Sequence, residues 1–470
     1  MTTTQIIGGD AVASDNSYAV IDPVTGAEFA RAPECSLEQL DSAMESAHQA
    51  QHAWAKDEDG RREAMRRFAD AIDARAEELT STLVRETGKP HALAATEPGT
   101  CSAWLRYYAD VDIPRERMRE DADGGRVDVI HRPLGVVAAI TPWNFPLVLG
   151  MWKIAPAVRA GNAVVLKPSP YTPLSTLLLG EIAAEVLPPG ILNVVSGGDD
   201  LGRAMTAHPR PRKVTFTGSI AGGKNVAVSA AADLKRYTLE LGGNDAAIVL
   251  DDADLAASAA GIVGTAFLNS GQACALPKRV FVPRNRYDDA VAAFAEVAQA
   301  MAFGMSTSDD RTFGPLSTGP QFTRVKSLLA EALDRGALPA VGGIERADLG
   351  GYFVEPTLLT NVDDTFAIVQ EEQFGPVLPV LAYDTLDEAI DRANNTMYGL
   401  AGSVWGADVE RAADVAERVE AGAVWVNGHA ALAMTVPFGG MKWSGVGVEN
   451  GVGGLLEYTD AQSIYFPATA

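Results

Sequence analysis

The sequence predicts an α/β fold in which two successive series of parallel strands and helices follow a helical start and share a small all-β element. Three observations carry that prediction. From Arg126 onward short apolar runs, GVVAAI, AVVLK, ILNVV, KVTFTG, YTLEL and AAIVL, alternate with helical segments, as βαβ units with a parallel sheet require. A second α/β series follows from about Ala246, through helix DLAASAAGIVGTAFL and strand RVFVP to strands near Pro379 and Val424. At 470 residues the chain also exceeds one hydrophobic core, since domains average about 150 residues.

Taken in order, the first hundred residues read as helices. They begin at Ser36, which forms a capping box with Gln39 ahead of the amphipathic run LEQLDSAMESAHQAQHAW. A second helix is expected over about Arg61 to Arg85. The segment REDADGGRVDVIHRP reads as a hairpin turning at Gly124-Gly125, and AQSIYFP near the end reads as one more strand. These strands are expected to pair as a third element. Within the first α/β series, Thr172 and Pro173 suit the N-cap and first position of the helix after AVVLK.

Composition excludes several function classes. Lys and Arg total 38 against 61 Asp and Glu, a formal charge of −23, and such a field repels phosphate backbones and anionic lipid. Neither nucleic acid nor a membrane surface is an expected partner. The start MTTTQIIGGDAVASDN lacks a basic, apolar leader, and no stretch reaches the roughly 18 apolar residues of a membrane helix. A cytoplasmic protein is expected. Cys35, Cys101 and Cys274 are too few and too scattered for a disulfide framework or zinc cluster. His48 and His52 lie one helical turn apart without a third ligand, so no metal is expected.

Two glycine patterns mislead. Gly218, Gly223 and Lys224 fit GxxxxGK, but Asn225 stands where a magnesium-binding hydroxyl is needed. Gly445, Gly447 and Gly451 form GxGxxxG, not GxGxxG, and read as a glycine-rich turn. The segment FLNSGQAC is more informative. It places Cys274 in a glycine-containing loop beside Asn269, Ser270 and Gln272, where a thiol can be reached and activated. YTLELGG puts Glu240 34 positions earlier, since 274 − 240 = 34.

Nine segments in sequence order resemble the aldehyde dehydrogenase superfamily: TPWNFP, WKIAPA, GNAVVLKPS, FTGS, ELGG, the Cys274 segment, EEQFGPV, YGLAG and PFGGMKWSG. The resemblance covers nearly the whole chain. It implies a Rossmann-type cofactor domain over 1–118 and 138–243, an α/β catalytic domain over 244–427, and oligomerisation strands over 119–137 and 455–470. Residues 428–454 would return to the cofactor domain, and a homodimer or homotetramer is implied.

The chemistry implied is NAD(P)-dependent oxidation of an aldehyde to an acid. A thiolate adds to the carbonyl, the oxyanion needs preorganised donors, and the thioester left after hydride loss needs a base to hydrolyse it. The resemblance assigns the nucleophile to Cys274, one oxyanion donor to Asn144, the base to Glu240 and a lysine near its proton path to Lys153. For the cofactor it implies Ile140, Thr141 and Trp143 along the cleft, Lys167 and Ser169 at the adenosine ribose, Gly218 and Ser219 at the pyrophosphate, and Leu241, Glu372 and Phe374 at the nicotinamide end. The implied substrate tunnel is Phe145, Leu149, Trp152, Ala273, Ala275, Leu432 and Phe438, apolar throughout. Where many members read KPxE, this chain reads KPSP, so Pro170 offers no carboxylate to the ribose hydroxyls and NADP is expected to be accepted beside NAD. A CoA-acylating enzyme is the first alternative, opposed by the presence of Glu240. A non-catalytic binding protein on the same fold is the second, opposed by the retention of Cys274, Asn144 and Glu240.

Overall fold

The computed structural model describes residues 4–120, 125–301, 313–343 and 349–467. Its largest sheet has eight strands in the spatial order Gly445–Val446, Arg236–Glu240, Lys213–Thr217, Val136–Ile140, Ala163–Lys167, Leu192–Val194, Gln5–Ile7 and Asp10–Val12. The middle five run parallel. Strand order reverses between Val136–Ile140 and Lys213–Thr217, because the chain builds outward through Leu192–Val194 and then crosses back. A crevice opens at such a switch point, beyond the carboxyl ends of the strands.

A second sheet has seven strands, in the order Leu338–Val341, Thr357–Thr360, Val377–Tyr383, Pro277–Pro283, Asp245–Val249, Ala401–Trp405 and Ala423–Val426. It is parallel except at its first strand. The all-β element forms as expected: Arg126–Pro133 pairs with both Thr459–Phe466 and Glu116–Glu120. Of its expected turn, Gly124 lies outside the described residues. The helix Pro146–Ala160 lies against the larger sheet with nearly every side chain buried, which explains its apolar composition. Among the described residues, no helix is long and apolar enough to cross a membrane.

Three expectations about local structure need correction. The first hundred residues are not all helical: Gln5–Ile7, Asp10–Val12, Asn16–Asp22 and Ala27–Glu34 are strands. The last two pair only with each other and are largely exposed, so they lack the clean apolar alternation that marks a half-buried strand. The Arg61–Arg85 helix is two, Glu58–Ala74 and Ala76–Thr87, broken at Arg75 (φ −113°, ψ 22°) without glycine or proline. The helix after AVVLK starts at Leu174, with Pro173 in the cap position and no local side-chain cap.

The cap of that last helix comes from far away. Its orphan amides, Leu174 N–H and Ser175 N–H, donate to the Glu86 carboxylate at 2.7 and 3.1 Å. Thr172 instead donates its hydroxyl to the Trp143 carbonyl at 3.3 Å. Glu86 is wholly buried, so removing it strands two amides and the Ser175 hydroxyl away from water. Glu86→Ala is expected to lower stability by about 2–3 kcal/mol, read as a lower urea midpoint; an unchanged midpoint would contradict this cap.

Candidate active site

The Cys274 segment adopts a conformation that its residue types are needed to hold. Asn269 (φ 51°), Ser270 (φ 56°) and Gly271 (φ 74°) are three successive left-handed residues, and each non-glycine one costs roughly 1–2 kcal/mol. Hydrogen bonds offset that strain. Asn269 donates its amide to the carbonyls of Asn144 and Gln272, both at 3.2 Å. Gln272 donates to the Asn269 carbonyl at 2.9 Å and accepts from Ser317 N–H at 2.8 Å. The Ser270 hydroxyl reaches the Gly314 carbonyl and the Lys278 ammonium the Gly271 carbonyl, at 2.8 and 2.7 Å. At Gly271 a Cβ would stand 2.2 Å from the Gly375 carbonyl oxygen, so no side chain fits.

ELGG has a matching explanation. Strand Arg236–Glu240 ends at Glu240, and the two glycines that follow admit two neighbours. A Cβ on Gly242 would lie 2.1 Å from the Glu372 carboxylate, and one on Gly243 2.7 Å from the Cys274 carbonyl. Gly243 N–H also donates to Glu372 at 3.0 Å. From the other side Asn144 donates its side-chain amide to the Gln272 carbonyl at 3.0 Å, which leaves that amide a second N–H.

These segments enclose a cavity of about 410 Å³ walled by Asn144, Leu149, Leu241, Cys274, Glu372 and Phe374. Trp143, Gly218 and Ser219 belong to its wall and to that of an adjoining cleft of about 910 Å³. Ile140, Thr141, Lys167, Ser169 and Pro170 line the cleft, which occupies the switch point of the larger sheet. The helix Ile220–Ala232 begins there, capped by the Ser219 hydroxyl on Gly222 N–H at 3.1 Å. Every residue that the sequence assigns to the cofactor therefore lies on one continuous surface with Cys274.

Burial dominates the electrostatics. The Cys274 side chain reaches the cavity, yet the low-dielectric protein around it pushes its thiol up to about 12, assisted by the charges of Glu240, Glu372 and Asp245. Burial, then the Glu449 charge, holds the Glu240 carboxyl well above the usual carboxylate range, with Lys153 pulling the other way. Neither Glu240 oxygen meets hydrogen-bond geometry with a partner, the Gly440 N–H offering only a weak attraction. Lys153 and Glu449 form a buried ion pair at 2.7 Å. Burial raises Glu372 to about 7 against the opposing Lys278 charge, and lowers Lys167 to about 8.

The remaining expected residues divide. Trp152 and Phe438 are buried against each other, ring centroids 5.7 Å apart, with Trp104 stacked on Trp152. Phe145 and Ala273 are half-buried and Ala275 buried, but Leu432 stands 39% exposed on a loop. Lys224 of the false phosphate loop is exposed and lies over the Trp443 ring at 3.5 Å. His48 and His52 meet edge to face at 5.1 Å. Among the described residues, no group of three or more His, Cys, Asp or Glu could hold a metal.

Sequence reasoning missed four neighbours of the site. Glu449 could have been inferred, because a buried lysine such as Lys153 needs a carboxylate. Gln321, Arg324 and Tyr398 line the smaller cavity with no motif to mark them. Gln321 donates to the carbonyls of Gln373 and Phe374 at 2.8 and 2.9 Å, and Arg324 to Glu371 at 3.0 Å, bracing the EEQFGPV loop. The raised thiol gives a direct test. Alkylation of Cys274 by iodoacetamide in the ligand-free protein should accelerate about tenfold per pH unit from about pH 7 to about pH 10. A plateau near pH 8, followed by peptide mass, would contradict it.

Comparison with known proteins agrees with this geometry. The aldehyde dehydrogenase family model matches residues 11–464. Geranial dehydrogenase of Castellaniella defragrans is 38% identical over 468 residues, covering 98% of each chain. An aldehyde dehydrogenase of Bacillus cereus, solved as a point mutant, superimposes with a TM-score of 0.96 at 35% identity, covering 100% of this chain and 97% of that one. Betaine aldehyde dehydrogenase of Staphylococcus aureus, solved with NAD+, gives 0.94 at 33% identity over 99% and 94%. Similar structures thus include one with NAD+, and another holds NADP. The cavity around Cys274, the cleft at the switch point and a family match across 454 of 470 positions (464 − 11 + 1 = 454) lead to one conclusion: the chain belongs to the aldehyde dehydrogenase family.

Proposed function

We propose that the chain oxidises an aldehyde to its carboxylic acid with NAD(P), Cys274 serving as nucleophile. The observation that carries this reading is that the Cys274 thiol and the Asn144 amide share a wall of one cavity, continuous with the switch-point cleft. The cleft fits a dinucleotide: its volume suffices, a helix N-terminus at Ser219 offers amides to a pyrophosphate, and Lys167 supplies a buried donor. Bound NAD(P) supplies the acceptor for the hydride.

The chain's own groups do the rest. The Cys274 thiol first gives its proton up to solvent, the thiolate sulfur adds to the carbonyl carbon, and the oxygen that becomes negative accepts from the spare Asn144 N–H and the Cys274 N–H. Loss of hydride from that carbon leaves a thioester on Cys274. Glu240 then takes a proton from the water that attacks it. A carboxyl buried in low-dielectric protein is a stronger base than one in water, and the Lys153 charge and the Gly440 N–H moderate that shift.

Leu149, Leu241, Trp143 and Phe374 give the cavity an apolar share of its wall, which favours medium-chain aliphatic or aromatic aldehydes, since an unpaired charge is costly to desolvate; Phe145, Trp152 and Phe438 are proposed to extend that surface. Arg324 enters the cavity wall but is committed to Glu371. Residues 1–118, 138–243 and 428–454 would form the cofactor domain and 244–427 the catalytic one, consistent with the edge strand Gly445–Val446 pairing back onto Arg236–Glu240. The strands in 119–137 and 455–470 would build a cytoplasmic homodimer or homotetramer. The exposed edge strand Thr459–Phe466 supports this, because a bare edge invites pairing.

Cys274→Ala should abolish turnover while cofactor binding persists; full turnover would remove the covalent mechanism. Glu240→Gln should give a burst of reduced cofactor and then stall, and steady wild-type turnover would remove Glu240 from the hydrolytic step. For cofactor choice, Pro170 adds no carboxylate, but Glu34 and Asp199 line the same cleft. NAD should therefore be preferred over NADP by about tenfold to a hundredfold in kcat/KM, at about 1.4 kcal/mol per decade. Pro170→Glu should widen that ratio, whereas a wild type rejecting NADP more than about a thousandfold would show that another group discriminates.

A further inference from the structure

Lys89 and Glu97 lie outside the residues assigned to chemistry, yet both are wholly buried and both reach the turn that carries Asn144. Glu97 projects from the helix Thr96–Asp110. One of its oxygens accepts from Leu147 N–H at 3.2 Å and Val148 N–H at 3.3 Å, the second and third residues of the helix Pro146–Ala160. That helix has no cap of its own: Phe145 stands in the cap position without a side-chain bond, and Pro146 has no N–H. Glu97 supplies the missing acceptor from 50 residues away in sequence.

The other Glu97 oxygen forms a short ion pair with the Lys89 ammonium. The same ammonium lies 3.7 Å from the centre of the Phe145 ring. One buried pair therefore holds two points, the start of the helix and the ring of Phe145, and Asn144 is the next residue along the backbone. A buried ion pair is weak evidence for stability, because desolvation costs about as much as the attraction returns. Its value here is geometric: a carboxylate seated on helix amides and a cation on a ring face both impose direction.

We propose that the Lys89–Glu97 pair is a positioning device that fixes the Asn144 side-chain amide for the reaction by holding the Phe145 ring and the helix start that flank it. This rests on the reading of Asn144 as an oxyanion donor. Lys89 and Glu97 touch no reacting atom and act through the turn. An oxyanion donor loses its effect when displaced by a fraction of an ångström, and loss of such a donor costs about a hundredfold to a thousandfold in rate.

The test is the double variant Lys89→Met, Glu97→Gln, which removes both charges together and keeps an oxygen for the helix amides. Four quantities are compared with wild type: thermal unfolding, NAD binding by fluorescence, the rate of Cys274 alkylation by iodoacetamide, and the burst rate of NADH with an aliphatic aldehyde. Alkylation builds no oxyanion, so it reports the nucleophile alone. NAD binding and alkylation should stay within about twofold, while the burst slows by at least about tenfold. A folded double variant with a wild-type burst overturns the proposal.

Lys89→Met alone, which leaves Glu97 on the helix amides, serves if the double variant does not fold. The same slow burst with normal alkylation is expected of it, and a wild-type burst again overturns the proposal. Asn144→Ala in the wild-type background separates the two levels. A normal burst there removes the oxyanion reading and the positioning role with it. A slow burst there, beside a normal burst in the pair variants, removes only the pair.

Discussion

Three close approaches to glycine, two by backbone and one by a carboxylate, hold the site together. Gly271 lies against the Gly375 carbonyl, Gly242 against the Glu372 carboxylate and Gly243 against the Cys274 carbonyl. Through them the end of one sheet, the loop before the next and the EEQFGPV segment meet at the distances needed to share one cavity. A methyl at Gly271 or Gly243 would press on a backbone carbonyl and force apart segments that the rest of the fold brings together, whereas one at Gly242 would displace the Glu372 carboxylate. The strained turn at 269–271 is tolerable because the side chains of Asn269, Ser270 and Gln272 and the Lys278 ammonium bond it on every side.

Packed around those contacts, the titratable groups are held away from water in a protein that carries a net charge of −23. Burial then pushes Cys274 and Glu240 toward their neutral forms, and the few buried cations matter disproportionately. Lys153 answers Glu449, Lys278 faces Glu372, and Lys89 answers Glu97. Lys153 and Lys89 each tie a carboxylate near the site to a fixed direction, while Lys278 acts on Glu372 through its charge and bonds the Gly271 carbonyl, so the arrangement is built from local charges and not from a general positive field. That is how an acidic chain can present a cleft for a phosphate-bearing cofactor.

Most of the fold was legible because its strands are buried on both faces and read as continuous apolar runs. The exceptions follow from the same rule. Asn16–Asp22 and Ala27–Glu34 are mostly solvent-facing and left no pattern. The helix break at Arg75 carries no glycine or proline, and the cap from Glu86 is a contact across 88 positions that no local motif encodes. At the site, Cys274, Asn144 and Glu240 stood out because they sit in motifs of tightly constrained residues. Glu449, Gln321 and Arg324 act through long-range contacts with those motifs and have no marked surroundings of their own. Leu432 was assigned by resemblance alone, and it stands partly exposed on a loop.

The central claim is that the acyl group passes through the sulfur of Cys274 and awaits a base supplied by Glu240. Peptide mass analysis of Glu240→Gln, quenched in acid after mixing with an aldehyde and NAD, tests it most directly. The account predicts an acyl adduct, the mass of the aldehyde less two hydrogens, on the peptide that contains Cys274 and on no other. An unmodified Cys274 peptide beside a full equivalent of NADH, or an adduct confined to Cys35 or Cys101, would contradict it.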